Sequence, residues 1–400
     1  MSPTNETYES LNLEPKPIRP HLLAAATMVF GEDGETGRRE TVTLSGLAQF
    51  NTWPLPGFEH HVDEQGRSSF DVELISAPEI GVKGYSHHLE DRVQILTDPS
   101  RSSRGRFRQV TPGTNLPAQF GLDRFGILET SILRLTHRDA LQTRGVVDGI
   151  PPFVAPLSAP YPDSPLGSGP FNGAVANGFL PVTNLPVAWY PADDENQPVG
   201  DTPSLFLVPS PVPFMVVMTD PTMIMQVSLE GELELEVDGK SVTVTVSGDH
   251  RRAAGAEILL FGPDKHSAGE GVQARLARLA VVGECAELGG KVMLRVSWTR
   301  PSEGTLGDGD ETSLSRVRYP TTLHVDASVE LCTPDATLYA DTTVHLAAKL
   351  NSLEATGTEL LLDGADAALL DAENEAAARL TGLRLKVSEA HIGETAPVSM

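Results

Sequence analysis

The chain has 400 residues, of which 54 are Asp or Glu and 30 are Lys or Arg, and its formal net charge is −24 at pH 7. A negative charge of this size repels polyphosphate backbones and anionic membrane surfaces, so nucleic acid and membranes are excluded as expected partners. The length exceeds what a single hydrophobic core usually organises, which predicts two domains.

The amino-terminal segment 1–20 lacks the basic start and apolar core of a secretory leader, and we predict a flexible tail there. No apolar run in the sequence approaches the length that crosses a bilayer. Cys285 and Cys332 are the only cysteines, which is typical of a reducing compartment. The sequence therefore predicts a soluble, cytoplasmic protein.

Alternating apolar and polar residues predict a β-domain over residues 21–149. In TVTLSGLAQF (41–50), Val42 and Leu44 alternate with polar side chains, and FDVELIS (70–76) repeats the pattern. A period of two is typical of a strand with one buried face. Clusters of Pro, Gly and Ser separate such segments and indicate turns.

The next segment, 150–204, contains Pro and Gly so often that regular strand ladders would be interrupted. It also carries aromatic side chains, among them Phe153, Trp189 and Tyr190, which favour packing along a surface. We therefore predict an ordered connector between two domains.

A second β-domain is predicted over residues 205–400. Its clearest pattern is GELELEVDGKSVTVTVSG (231–248), in which two alternating runs flank Asp238-Gly239, a dipeptide that favours a type I′ hairpin. KVMLRVSW (291–298) and TTLHVDASVEL (321–331) predict further strands.

Near the carboxyl end, the alanine-rich segment GADAALLDAENEAAARLTG (364–382) predicts a short helix that begins after Asp366 and ends at Gly382. The predicted fold is thus all-β, with two β-sandwich or barrel-like domains, a Pro/Gly-rich connector and one short C-terminal helix.

A set of strand, turn-glycine and turn-serine positions over about residues 68–130 resembles uncharacterised bacterial β-rich domains of unknown function. The matching residues are Phe70, Asp71, Val72, Glu73, Leu74, Gly84, Ser86, Leu89, Pro99, Ser100, Ser103, Gly105, Asp123 and Phe125. The resemblance implies a β-fold and brings no catalytic residue to this chain.

Two histidine pairs are candidate metal ligands: His60, His61, His87 and His88. Neutral imidazoles bind divalent metals such as Zn²⁺ or Fe²⁺, and Glu59, Asp63 or Glu90 could add carboxylate ligands. Neighbouring residues on a strand point to opposite faces, so at most one imidazole of each pair could share a site. The alternative is that all four are solvated surface residues. The sequence leaves the cofactor unknown, with a divalent metal as the candidate that the histidines suggest.

Three arginines form a candidate site for an anionic ligand. Arg104, Arg106 and Arg108 project to one face of a predicted strand, and guanidinium groups match carboxylates and phosphates in bidentate geometry. The alternatives are cross-strand ion pairs with Asp or Glu and simple solvation of the side chains.

A methionine-rich segment is a candidate wall for an apolar ligand. PVPFMVVMTDPTMIMQV contains Met215, Met218, Met223 and Met225, and methionine adapts to irregular hydrophobic ligands. The same side chains could equally fill a core.

Strand and turn patterns are plentiful, whereas the spacings of P-loops, dinucleotide folds and serine-hydrolase elbows do not occur. We therefore predict a non-enzymatic binding or structural module for a small molecule or a protein partner. The alternative is an enzyme, either metal-dependent through the paired histidines or cofactor-free and cyclase-like, with an apolar β-cavity.

Overall fold

The structure of the protein, a computed structural model, contains 29 strands in the residues it describes. The described residues are 21–31, 36–47, 49–52, 57–76, 81–113, 118–147, 180–181, 187–208, 215–217, 223–261, 272–297, 302–307, 314 and 317–394. The predicted tail and the connector residues 150–179 and 182–186 lie outside them. The chain divides into two compact units, the first comprising Met1–Lys83 and Val93–Thr219 and the second Gly84–Arg92 and Asp220–Met400.

The strands up to residue 217 are β1 (His21–Phe30), β2 (Arg38–Leu47), β3 (Phe50–Thr52), β4 (His60–Val62), β5 (Ser68–Leu74), β6 (Gly81–Ser86), β7 (Asp91–Thr97), β8 (Ser103–Gln109), β9 (Ala118–Arg124), β10 (Gly126–Glu129), β11 (Arg134–Thr136), β12 (Leu141–Val147), β13 (Leu180–Pro181), β14 (Val187–Pro191), β15 (Leu205–Val208) and β16 (Met215–Val217).

Eight of these strands close into a barrel in the order β15-β14-β11-β10-β7-β6-β2-β1, because β1 pairs with both β2 and β15. The alternation predicted at the start of TVTLSGLAQF is confirmed in β2, where Val42 and Leu44 are fully buried and Thr41 and Thr43 are half-buried. Closure satisfies the backbone groups that the edges of an open sheet would expose.

A second sheet of the first unit has the order β13-β12-β9-β8-β5-β3, with β4 also paired to β5. The predicted strand in FDVELIS is confirmed in β5, where Val72 and Leu74 are buried while Asp71 and Glu73 are half-buried on the opposite face. This alternation gives the sheet one apolar and one charged face.

The strands from residue 223 onward are β17 (Met223–Val237), β18 (Lys240–Gly248), β19 (Gly255–Phe261), β20 (Val272–Cys285), β21 (Gly290–Val296), β22 (Glu303–Leu306), β23 (Thr321–Ala327), β24 (Val329–Cys332), β25 (Thr337–Ala340), β26 (Val344–Leu350), β27 (Glu359–Leu362), β28 (Ala367–Leu370) and β29 (Ala376–Glu394).

The hairpin predicted at Asp238-Gly239 is confirmed as β17 and β18. Val237 pairs with Lys240 across the two-residue turn, and Asp238 and Gly239 both have positive φ, at 50° and 73°. Positive φ at both central positions is what a type I′ turn requires, and it matches the twist of the flanking strands.

The second unit contains two closed rings of eight strands that share β17, β20 and β29. One ring runs β17-β19-β20-β22-β23-β26-β27-β29 and the other runs β17-β18-β20-β21-β24-β25-β28-β29. The pairing of β17 with β29 shifts register at Ser228/Leu229 and Glu234/Leu235. Bulges of this kind bend and twist a strand, so they allow one long strand to serve both rings.

One hydrophobic core cluster connects the strands of both rings. It includes Leu233 and Leu235 of β17, Val281 of β20 and Leu380 and Leu385 of β29, all fully buried. The shared strands therefore contribute to a common core.

The predicted C-terminal helix is wrong, because residues 367–370 form β28 and residue 376 begins β29. Ala367, Leu369 and Leu380 are buried at strand spacing, and Asp371 accepts hydrogen bonds from the backbone N–H groups of Glu373 and Glu375 in the intervening turn. Pairing of β29 with β17 overrides the high helix propensity of alanine, because tertiary contacts outweigh local propensity. Among the described residues, no helix is long and apolar enough to cross a membrane.

Candidate functional site

The charged face of the second sheet brings together two groups of residues that the sequence singled out. β4 and β8 both pair with β5, so the first histidine pair and the three arginines lie on strands next to β5. We call the partly exposed surface formed by Glu59, His61, Asp63, Asp71, Glu73, Arg104, Arg106 and Arg108 the ion-pair face.

Each arginine of β8 forms an ion pair with a carboxylate, two of them through strand register. Asp71 lies directly opposite Arg106, and Glu73 lies opposite Arg104. The ion pairs are Arg104 Nε to Glu73 Oε1 at 3.5 Å, Arg106 Nη2 to Asp71 Oδ1 at 2.6 Å and Arg108 Nη2 to Asp63 Oδ2 at 2.6 Å. This is the cross-strand pairing given above as one of the alternatives, and anion binding by the same arginines stays a prediction.

Gly105 separates the first two arginines and faces the other side of the strand. A Cβ at this position would lie 2.1 Å from the carbonyl oxygen of Gly121 on β9. Only glycine therefore allows β8 and β9 to approach this closely.

Asp63 anchors the turn between β4 and β5. Its Oδ1 accepts hydrogen bonds from the N–H groups of Gln65 and Arg67, and its Oδ2 accepts from the side chains of Arg67 and Arg108. The hydrogen bonds from Arg108 and Arg67 hold the pKa of this carboxyl well below its usual range. Asp63 is therefore ionised at neutral pH and orients Arg108.

The two histidines of the first pair lie on opposite faces of the sheet. His61 pairs with Ser69, whereas His60 pairs with Phe70, whose ring stacks on Phe107 at 5.4 Å. The pKa of His60 is lowered, mainly by partial burial and to a smaller extent by the charge of His61. Of this pair, only His61 belongs to the ion-pair face.

His61 has two carboxylates within reach. Its Nε2 lies 2.9 Å from Oε2 of Glu59, and one possible ligand atom from each of Glu59, His61 and Asp71 falls within 4.8 Å of the others. Among the described residues, this is the one cluster of three His, Cys, Asp or Glu side chains with that spacing.

The second histidine pair lies in the turn between β6 and β7, in the segment that belongs to the second unit. His87 is buried and His88 is exposed. The adjacent Glu90 contacts Lys291 at 2.5 Å, and this contact lowers the pKa of the Glu90 carboxyl. A metal site built from all four histidines stays a prediction.

Two of the four candidate methionines lie in the core of the second unit. Met223 and Met225 are buried within its hydrophobic cluster. Met215 belongs to β16, with its side chain outside the described part of the structure, and Met218 is also outside it. An apolar ligand cavity at these methionines stays a prediction.

Sequence reasoning missed charged groups that the second unit buries. Arg295 of β21 lies opposite Glu330 of β24, and its Nε and Nη2 donate to Oε2 of Glu330 at 3.0 and 2.8 Å. Ser297 Oγ donates to the other carboxylate oxygen at 2.6 Å. Each charged residue stands between two buried apolar neighbours along its strand, and such a position is also typical of a residue on an exposed face.

A serine and a histidine that the sequence did not connect lie at the bulge of β17. Ser228 Oγ is 2.8 Å from His250 Nδ1 and also accepts a hydrogen bond from the His250 backbone N–H. These contacts tie the short 3-10 turn His250–Arg252 to β17. The arrangement stabilises the connection between β18 and β19.

The first unit buries a neutral histidine. His137 Nε2 accepts a hydrogen bond from the N–H of Gly126 at 2.8 Å, and Nδ1 lies 2.6 Å from the Asp139 carbonyl oxygen, so the proton is on Nδ1. Burial lowers the pKa of His137 to about 4. Its ring packs against Trp189 at a centroid distance of 4.6 Å. We assign this residue to the structure of the barrel.

These features define an all-β protein of closed barrels, in which the second sheet of the first unit carries the ion-pair face. The chain belongs to the Family of unknown function (DUF6004), whose model matches residues 1–400. The predicted resemblance to an uncharacterised family is thereby confirmed and extends to the whole chain. A comparison with curated proteins finds no match.

Among solved structures, the chain is similar to DynF from the dynemicin biosynthesis pathway of Micromonospora chersina. The identity is 19% and the TM-score 0.34, and the match covers 44% of this chain and 83% of DynF. A likeness at this level carries no inference about function.

Proposed function

We propose that the protein is a binding module that recognises an oxyanion, a carboxylate or phosphate group, on the ion-pair face. The observation that carries this proposal is the row of three guanidinium groups, Arg104, Arg106 and Arg108, along one face of β8. Guanidinium groups bind both kinds of oxyanion through two parallel N–H···O bonds.

Neighbouring carboxylates orient these guanidinium groups. Arg106 uses Nε and Nη2 toward Asp71, and Arg108 uses Nη2 toward Asp63. A guanidinium has five N–H donors, so further donors of the same group can contact a ligand. A group that is already oriented loses less conformational entropy when the ligand binds.

The ion pairs of the three arginines compete with a ligand for the guanidinium groups, but this competition is weak. The side chains of Arg104, Arg106 and Arg108 are 69%, 49% and 42% exposed. Exposed pairs of this kind contribute about 0–1 kcal/mol each, so an incoming bidentate oxyanion can rearrange them at small cost. Because salt screens exposed charges, we expect binding to weaken as ionic strength rises.

The test is isothermal titration calorimetry of the untagged full chain with inorganic phosphate and with citrate at low ionic strength. The variant is Arg104→Gln/Arg106→Gln/Arg108→Gln, and the matched control is Arg134→Gln. Arg134 of β11 is also half-exposed and forms a cross-strand ion pair with Glu129 of β10 at 3.3 Å. This pair lies in the barrel and not on the ion-pair face. We expect saturable binding that the triple variant weakens at least tenfold and the control retains.

An acidic or phosphorylated peptide that binds more tightly than either free anion would identify a protein partner as the source of the oxyanion. Tighter binding of phosphate or citrate would identify a small molecule. The proposal fails if the wild-type chain binds neither anion, or if the triple variant binds as tightly as the wild type.

A further inference from the structure

The three residues Glu59, His61 and Asp71 are held on one face by backbone pairing. His61 belongs to β4 and Asp71 to β5, and the N–H of Asp71 donates to the carbonyl oxygen of Glu59 at 3.1 Å. His61 and Asp71 are therefore placed by a strand ladder, and Glu59 is tied to the same ladder just before β4 begins. Sites on strands are positioned more accurately than sites on free loops.

The donor set suits a divalent transition metal. One imidazole nitrogen and two carboxylate oxygens are ligands that Zn²⁺ and related ions accept, and two carboxylates would balance the charge of the ion. Tetrahedral Zn²⁺ needs ligand atoms about 3.4 Å apart, given bond lengths of roughly 2.1 Å. The present spacing is within 4.8 Å, and the side chains of Glu59 and His61 are exposed, so torsion changes alone can close the difference.

Arg106 supports this geometry at Asp71. It donates to Oδ1 of Asp71 at 2.6 Å and so fixes the direction of the carboxylate. Carboxylates that bind metals are usually hydrogen-bonded in this way by a neighbouring group. A carboxylate has lone pairs for more than one partner, so the contact with Arg106 is compatible with metal binding.

We infer that Glu59, His61 and Asp71 bind a divalent transition metal ion, for which Zn²⁺ is the probe. The inference goes beyond the oxyanion proposal, because it concerns a cation and three ligand residues other than the arginines. Each can fail without the other, since the metal is tested without phosphate or citrate and the oxyanions are tested without metal.

Two histidines provide matched controls. His60 is the sequence neighbour of His61 but lies on the opposite face of the sheet. His345 is exposed and contacts the carboxylate of Asp326, as His61 contacts Glu59, but among the described residues it belongs to no three-ligand cluster. The first controls for position, and the second for an exposed histidine–carboxylate pair.

The experiment is titration of the untagged full chain with ZnCl₂ in a non-coordinating buffer, followed by calorimetry, with Co²⁺ absorption as a second readout of coordination. We expect one equivalent of Zn²⁺ to bind the wild-type chain. His61→Ala and Asp71→Asn should each weaken binding at least tenfold, while His60→Ala and His345→Ala should bind like the wild type.

Circular dichroism on each variant separates loss of ligand from loss of fold. For folded variants, the inference is overturned if His61→Ala binds like the wild type, or if His60→Ala loses as much affinity as His61→Ala. It is also overturned if the wild-type chain binds no Zn²⁺ or Co²⁺.

Discussion

Among the strand pairs that place arginine opposite a carboxylate, the pair β5–β8 and the pair β21–β24 differ in how deeply the charges are buried. On the ion-pair face, Arg106 and Asp71 are both partly exposed. In the second unit, Arg295 and Glu330 are almost fully buried, with a serine satisfying the remaining carboxylate oxygen. In an exposed arginine–carboxylate pair water competes for both charges, so a ligand can replace one partner. In a buried pair water is excluded, so the two partners stay together.

The largest effect is expected from breaking the buried pair. Glu330→Ala should lower the free energy of unfolding by about 3–5 kcal/mol, because it leaves the guanidinium of Arg295 buried without its carboxylate. Chemical denaturation of the wild type and the variant measures this change.

The double variant Arg295→Met/Glu330→Leu is the control. It removes both charges while keeping apolar volume, so it should recover much of the lost stability. If Glu330→Ala were as stable as the wild type, the expectation that an unpaired buried charge is strongly destabilising would be wrong.

A smaller effect, dependent on pH, is expected from the buried histidine of the first unit. Burial keeps the pKa of His137 at about 4, below its ordinary 6.5, so the unfolded chain takes up the proton first as the pH falls. His137 should therefore favour unfolding increasingly as the pH falls from 6.5 to 4, by up to about 3 kcal/mol.

Denaturation of wild type and His137→Gln between these pH values isolates this contribution from that of the carboxylates. We expect the wild type to lose more stability than the variant on acidification. Equal pH dependence of the two proteins would show that His137 titrates normally, and an NMR titration of its ring would confirm that independently.

The smallest effect on stability is expected at the exposed pair. Arg106→Gln should change the free energy of unfolding by less than about 1 kcal/mol, because Asp71 remains accessible to water. Denaturation in the same buffer as the Glu330→Ala experiment gives the direct comparison. If Arg106→Gln lowered the free energy of unfolding as much as Glu330→Ala, exposure would not explain the difference in stability between the two ion pairs.

Local patterns predicted much of the strand structure. The Asp238-Gly239 turn and the alternation in β2 and β5 are set by neighbouring residues, so the sequence alone was sufficient. The closed rings depend instead on the pairing of β17 with β29, and the residues of these two strands are far apart in the sequence. The same long-range pairing explains why the alanine-rich segment 364–382 is not helical.

The candidate site was predictable in part. Strand alternation placed the three arginines on one face and separated His60 from His61, and both features are present. Which carboxylates they meet depends on the order β4-β5-β8, which no local pattern reveals, and Asp71 was missed for that reason. The buried pair of Arg295 and Glu330 was missed because period-two alternation does not show whether the polar face of a strand is exposed to solvent or buried by other elements.

The sharing of β17, β20 and β29 has a consequence for synthesis of the chain. Both rings of the second unit close through the pairing of β17, near residue 223, with β29, which ends at Glu394. Such long-range pairing makes folding slow, since a long loop must be ordered before its contacts form. On the ribosome, neither ring can close until β29 has emerged, so the edge of β17 that pairs with β29 stays open to other strands while the rest of the second unit is translated.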